Sequence, residues 1–177
     1  KEIIESVEIE NIAAEGKAIA HVDGKVMFVP FVVPGDIVDI LIVSKRKNYM
    51  EGVVQKIVKP SDFRVQPFCS HYGTCGGCKW QPLPYSKQLE FKQQQVYDQL
   101  SRISKLQLPA ISSIIGSEKD LYYRNKLEFT FSNKRWIETN EEAETLSEDE
   151  RLGLGFHVTG MFDKVLDIKQ CYLQREP

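Results

Sequence analysis

Four cysteines are the residues of this 177-residue chain best suited to chemistry: Cys69, Cys75, Cys78 and Cys171. The first three follow a C-x5-C-x2-C spacing with Gly76-Gly77 in the short gap, and the fourth lies far downstream. Two thiolates so close in sequence reach one centre because the backbone between them turns tightly. Glycines there permit positive φ and free N–H groups to face the sulfurs. Three outcomes compete. Two disulfides suit the even count but not a reducing compartment. A structural zinc site prefers two similar paired knuckles, and only one close pair exists here. An iron–sulfur cluster takes four thiolates and accepts a clustered trio plus an outlier. The spacing favours a cluster over zinc, and either over disulfides. His71 lies inside the wider gap and reads as a loop histidine. Neither His21 nor His157 has a paired partner in sequence.

The elements that must position these thiols are mostly strands. Apolar residues make up 42% and charged residues 27%, enough for a core and a solvated surface. Ile3–Ile9 alternates with a period of two. Ala18–Val22 runs into Asp23-Gly24, a tight hairpin signal, and Val26–Val29 follows until Pro30. Pro34-Gly35-Asp36 is a turn before Ile37–Val43, rich in β-branched residues, and Met50–Val58 is a fifth run. Five short strands between Gly and Pro turns predict a small closed barrel of the OB-like kind over residues 1–59, a fold that often binds oligonucleotides.

Residues 60–84 hold four prolines and three of the cysteines, which predicts irregular structure. Tyr85–Leu108 has no Gly or Pro, and Leu89, Val96, Leu100 and Ile103 recur along it, predicting an amphipathic helix with a narrow apolar stripe. Leu127, Phe129 and Phe131 alternate with polar residues. Leu152–Val158 and Lys164–Ile168 are further strands. The fold class is therefore mainly β with one long helix (α+β), a barrel followed by a small β-rich domain over 60–177.

The formal charge of −2 argues at first against nucleic acid. Seven acids and no base fall between Glu138 and Glu150, and without them 23 basic residues face 18 acidic ones. Such a like-charge block reads as a solvated, mobile linker, and the remainder is mildly basic. Lys45-Arg46-Lys47 ends a predicted strand and Tyr49 follows, a grouping that can grip phosphates while a ring stacks on a base. Lys79, Trp80 and Gln81 directly follow the third cysteine; Trp80 is expected to shield the centre or to stack on RNA. No apolar run reaches the roughly 18 residues of a membrane span, and Lys1–Glu5 is not a secretory signal. A cytoplasmic protein without a membrane partner is expected.

The stretch Cys69-Ser-His-Tyr-Gly-Thr-Cys75-Gly-Gly-Cys78-Lys-Trp-Gln81 resembles the cluster motif of the RNA uracil-5-methyltransferase family, in its branch that makes 5-methyluridine in 23S ribosomal RNA. Upstream, Gly24–Pro30 and Pro34-Gly35-Asp36 look like the TRAM barrel that opens many of these enzymes. Downstream, Tyr122-Tyr123-Arg124-Asn125-Lys126 resembles the family's Tyr-Arg-Asn-Lys stretch. Gly155-Phe156 and Asp167–Cys171 match the approach to its fourth ligand. The resemblance implies a [4Fe-4S] cluster on Cys69, Cys75, Cys78 and Cys171 that shapes an RNA-binding surface rather than performing redox chemistry. It places Arg124 and Lys126 beside Lys45, Arg46, Lys47, Tyr49 and Lys79 as RNA contacts, with ribosomal RNA as the partner.

The family's reaction uses S-adenosylmethionine. A cysteine thiolate attacks C6 of uracil, C5 takes the methyl group, and a carboxylate base removes the C5 proton. None of this is located here. The cluster takes all four cysteines, and no strand leads through a glycine-rich turn into a helix. Gly153-Leu154-Gly155 comes nearest, yet the sequence continues as strand. The expectation is an N-terminal fragment of the methyltransferase, catalytically inactive alone, with the S-adenosylmethionine site in the full-length parent. The predicted helix 85–108 then belongs with the absent catalytic domain, and its bare stripe favours self-association or disorder. The alternative is a non-enzymatic, zinc-stabilised RNA-binding module. The tRNA-modifying branch of the family typically lacks the cluster cysteines.

Overall fold

A computed structural model describes residues 2–105, 107–138, 141 and 144–175 of the chain. They divide into two compact units, Lys1–Gln66 with Lys79–Gly116, and Pro67–Cys78 with Ser117–Pro177.

The first unit is a six-stranded sheet plus a helix. Its strands are β1 (Ile3–Glu8), β2 (Asn11–Ile12), β3 (Ala18–Val22), β4 (Lys25–Val29), β5 (Ile37–Lys45) and β6 (Tyr49–Lys59). They lie in the order β1-β5-β6-β4-β3-β2. The two strands at the ends of that order are neighbours in sequence, so the sheet curls round until its edges approach. Five of the strands match the predicted runs. The sixth, β2, pairs only Asn11 and Ile12 with β3 and is too short to leave an alternation. The β3–β4 hairpin turns at Asp23 and Gly24, both at positive φ, as a two-residue loop demands. Gly52 in β6 has no side chain because a Cβ there would collide with Ile40.

Alternation along β5 puts Val38 and Ile40 inside. They meet Val7, Ile9, Ala18, Ala20, Met27, Val29, Val32 and Met50 in one buried cluster. The predicted Pro34-Gly35-Asp36 turn is locked from within. Asp36 is wholly buried and accepts the N–H groups of Val33 and Ser61 at 2.9 Å each and the Arg64 guanidinium. A carboxylate is expensive to bury unless its lone pairs are used in this way.

The helix α1 (Tyr85–Ser104) starts where Pro84 predicts, and Gln88 donates from its side chain to the carbonyls of Trp80 and Leu83. It ends at Lys105, whose left-handed backbone (φ 53°) bonds its N–H to Ser101. The predicted end at Leu108 is therefore too late; Leu106 lies outside the described residues. None of the helix residues is buried. Phe91 packs on a second small core of Ile12, Val33 and Leu83 with Phe63 and Trp80. Gln95 holds the carbonyls of Ile12 and Ala13, both at 3.2 Å. Val96, Leu100 and Ile103 of the predicted stripe are exposed.

The second unit carries a three-stranded antiparallel sheet, β7 (Thr130–Ser132), β8 (Gly153–His157) and β9 (Val165–Asp167), in that order. Each strand is shorter than its alternation suggested. Leu127 and Phe129 lie outside the ladder, and Lys134–Trp136 turns back to pair with Val165. Gly155 is required, since a Cβ would meet the Leu166 carbonyl and the Ile168 side chain. Two described acids of the acidic stretch, Glu141 and Glu150, are held by hydrogen bonds. Arg135 grips Glu141 with both terminal nitrogens (3.0 and 2.9 Å) and the Glu150 carbonyl through Nε, and Ser147 caps Glu150. Thr139, Asn140, Glu142 and Ala143 of that stretch are outside the described residues. Among the described residues, no helix is long and apolar enough to cross a membrane.

Candidate metal centre and nucleic-acid interface

All four cysteines belong to the second unit. None of them is in a disulfide, and each is partly buried. The segment carrying the first three is a succession of turns. Tyr72 N–H bonds to the Cys69 carbonyl, and the N–H groups of Thr74 and Cys75 bond to that of His71. Its far end is zipped onto the continuation of β8. Cys75 and Val158 form an antiparallel bridge, Gly76 N–H donates to His157 O at 2.9 Å, and Thr159 N–H donates to Thr74 O at 2.9 Å. Gly76 has to be glycine at that seam, because a Cβ would come within 2.8 Å of the His157 carbonyl. Gly77 turns its N–H to the Cys75 sulfur at 3.4 Å, one of the two roles expected of the Gly-Gly pair, while neither glycine takes the expected positive φ.

The fourth cysteine arrives from β9. Ile168 N–H bonds to Leu154 O, and Lys169 N–H donates to Nε2 of His71 at 3.1 Å. His71 is buried, and its Nε2 carries no hydrogen in this bond. It ties the loop of the first three cysteines to the segment entering Cys171, a structural role that its sequence context did not reveal. Aromatic rings repeat the connection. Phe68, just before Cys69, stands edge-on to Tyr172, just after Cys171, with centroids 5.1 Å apart. Tyr122, at φ 54°, lies 6.0 Å from Tyr172 and bonds its N–H to the Tyr172 carbonyl. An aromatic residue flanking each of two distant cysteines was the available signal.

The electrostatics of Cys75 register the other three cysteines. Burial pushes the Cys75 thiol up, the Gly77 N–H opposes this, and the sulfurs of Cys78, Cys69 and Cys171 raise it further by repulsion. All three other thiols thus lie within electrostatic reach of Cys75. Among the described residues, no three His, Cys, Asp or Glu side chains are grouped so as to hold a metal ion.

The expected RNA contacts scatter. Lys45, at the end of β5, pairs with Glu2. Arg46 and Lys47 occupy the exposed turn, where Arg46 N–H bonds to Tyr49 O. The Tyr49 ring meets Phe28 edge-on at 5.8 Å. Lys79 sits 5.7 Å above the Phe31 ring. In the second unit Arg124 is exposed, held through its N–H to Leu173 O, and Lys126 pairs with Glu128 at 2.8 Å. Trp80 packs onto the small core of the first unit, against Gly16 and under Lys92.

A shallow cleft of 510 Å³ on the second unit is lined by Phe131, Asn133, Leu152, Leu154 and Asp167 among others. Its carboxylate is already engaged. The N–H of Leu154 and then the Lys169 ammonium hold Asp167 below the usual carboxylate range.

Comparison with known proteins places these features. Residues 4–54 match the TRAM domain. The chain is 56% identical over 92% of its length to a protein of Bacteroides thetaiotaomicron named an uncharacterized RNA methyltransferase, covering 36% of that protein. A Porphyromonas gingivalis protein of the same name is 52% identical over 94% of the chain, with 37% of that protein covered. The crystal structure of Pyrococcus abyssi tRNA (uracil-54, C5)-methyltransferase with S-adenosyl-L-homocysteine superimposes with a TM-score of 0.50 at 24% identity, over 95% of this chain and 32% of that one. That likeness is one of fold. The chain spans about a third of the length of the curated relatives it matches. It is thus a TRAM-containing homologue of one part of proteins named RNA methyltransferases.

Proposed function

We propose that this chain is the RNA-binding and iron–sulfur portion of an S-adenosylmethionine-dependent RNA (uracil-5-)-methyltransferase that acts on 23S ribosomal RNA in the cytoplasm. The methyl-donor domain and the catalytic cysteine lie in the parent protein outside this chain. The TRAM match and the relatives' names support RNA methylation. The solved neighbour supports the fold alone, and the base and the donor are taken from the resemblance of the sequence motifs. The 23S assignment rests on the cysteine motif.

One observation carries the iron–sulfur reading. Two distant segments are joined through His71 and the Phe68–Tyr172 contact, and the three other sulfurs bear electrostatically on Cys75. Four thiolates with Gly77 N–H facing one sulfur suit a cluster, whose sulfurs accept such bonds. Cys69, Cys75, Cys78 and Cys171 would hold it. Its contribution would be to fix the RNA-facing surface of the second unit.

Anaerobic purification is the test. The protein should be brown, absorb broadly in the visible blue, and contain iron and inorganic sulfide. Colourless protein with stoichiometric zinc would support the zinc-stabilised RNA-binding module instead. Methyl transfer by the parent protein to a 23S fragment, compared with a tRNA transcript, tests the substrate. A preference for tRNA would overturn the ribosomal assignment.

A further inference from the structure

The shallow cleft of the second unit is built by the register of its sheet. Phe131 of β7 stands directly opposite Leu154 of β8, so the two side chains share one face, and Leu152 lies two residues before Leu154 on that same face. All three line the cleft and all three are exposed. The other face is filled. A Cβ on Gly153 would press on the Arg135 stem at 3.2 Å, and one on Gly155 would strike Ile168. The sheet therefore has one packed face and one open face. Asn133, just beyond β7, also lines the cleft; it is exposed, and its amide bonds to no described residue. An open aromatic wall beside an amide is the chemistry that holds a splayed-out base. The ring stacks on the base, and the amide, donor and acceptor at once, meets its edge.

We propose that this cleft receives one unpaired RNA base, stacked on Phe131 and met along its edge by Asn133. The inference rests on the RNA-binding reading above and adds a base contact in the second unit. Size permits it, since 510 Å³ falls within the roughly 300–1,000 Å³ of clefts that take small ligands. Charge selects the base over the phosphate. The lining holds one carboxylate, Asp167, and no cation. That carboxylate accepts from the Leu154 N–H and the Lys169 ammonium, both at 3.0 Å, so it stays ionised. It would repel a phosphate seated in the cleft and leaves a neutral ring undisturbed. RNA is the partner that the TRAM match and the relatives' names support, which narrows a flat, neutral, edge-polar ligand to a nucleobase. The competing occupant is an apolar face of a second copy of the chain.

The test compares the anaerobically prepared full chain with its Phe131→Ala, Phe131→Tyr and Asn133→Ala variants. Each is titrated with a labelled oligouridylate, an oligoadenylate and an abasic oligomer of equal length and charge. Phe131→Ala should bind the two base-bearing oligomers at least about fivefold more weakly, the lower end of what one stacked base contributes. Its binding of the abasic oligomer and its salt slope should match wild type, because no cation is lost. Phe131→Tyr keeps the ring and should restore the affinity. Asn133→Ala should narrow the ratio between oligouridylate and oligoadenylate, and an unchanged ratio removes Asn133 from the base edge. Both residues are exposed, so thermal melting should not change. Equal weakening towards the abasic oligomer, or failure of tyrosine to rescue, overturns base stacking. Unchanged RNA binding by Phe131→Ala overturns the proposal; if that variant also sediments as a monomer where wild type self-associates, the cleft is a docking face between copies. Wild-type protein that binds none of the oligomers refutes the RNA-binding reading and the inference with it, a result distinct from the others.

Discussion

The two units of this molecule are held together by different means. The curled sheet of the first closes on ten buried apolar side chains. In the second, Val158, Val165 and Leu166 are the buried apolar residues among those described, while Phe131 is 82% and Phe162 88% exposed. A domain of this size that buries so little needs another source of stability, commonly a metal or disulfides. Its cysteines form no disulfide, and the segments carrying them are joined by single contacts rather than by a packed interior. The first unit has a packed apolar core of its own. In the second, the four thiols are proposed to supply the missing core.

The comparison can be broken or sharpened by substitution. The largest effect is expected from Cys171→Ala. It should abolish iron binding and flatten the dispersed NMR signals of the second unit, leaving those of the β5 and β6 residues unchanged. Collapse of both sets would show that the units share one stability. Next comes Asp36→Ala, the corresponding weak point of the first unit. It strands the half-buried Arg64 and two backbone N–H groups, at a cost of about 3–5 kcal/mol in denaturant unfolding. Iron content per folded molecule should not change. His71→Ala removes the acceptor for Lys169 N–H and should cost about 1–3 kcal/mol, with faster loss of iron to a chelator. Unaltered release would deny His71 its tying role.

The smallest effect concerns the acidic stretch. Arg135 holds the Glu141 carboxyl below its ordinary value of 4.5, with help from the Glu138 N–H. A depressed carboxyl contributes fully above that value and loses its contribution as pH falls through the lowered one. Hydrogen exchange of the Glu138 N–H, which donates to Glu141, should therefore stay slow at neutral pH and accelerate only under acid. In Glu141→Gln it should be fast throughout.

Legibility in the sequence followed the same divide. In the first unit, the period of two in Ile3–Ile9, the β-branched run Ile37–Val43 and the Asp23-Gly24 turn told strand from loop, because a half-buried pleated surface favours such residues and such spacing. The strand at Asn11–Ile12 escaped notice because two residues have no period. In the second unit, pairing is set by contacts between distant, aperiodic segments, such as Gly76 with His157 and Trp136 with Val165. The strands at 130–132 and 165–167 were anticipated in place but not in extent. The cysteine spacing pointed to the candidate centre. The strut at His71 and the lysine–ring pair at Lys92 depend on three-dimensional proximity that no local pattern encodes.

Hydrogen exchange resolved by residue, on anaerobically prepared protein before and after iron is stripped, tests the central claim most directly. The account predicts that stripping exposes the amides of Gly76, Thr159, Ile168 and Lys169 to rapid exchange while Val38 and Ile40 keep their protection. Equal protection of the second unit with and without the metal would contradict it.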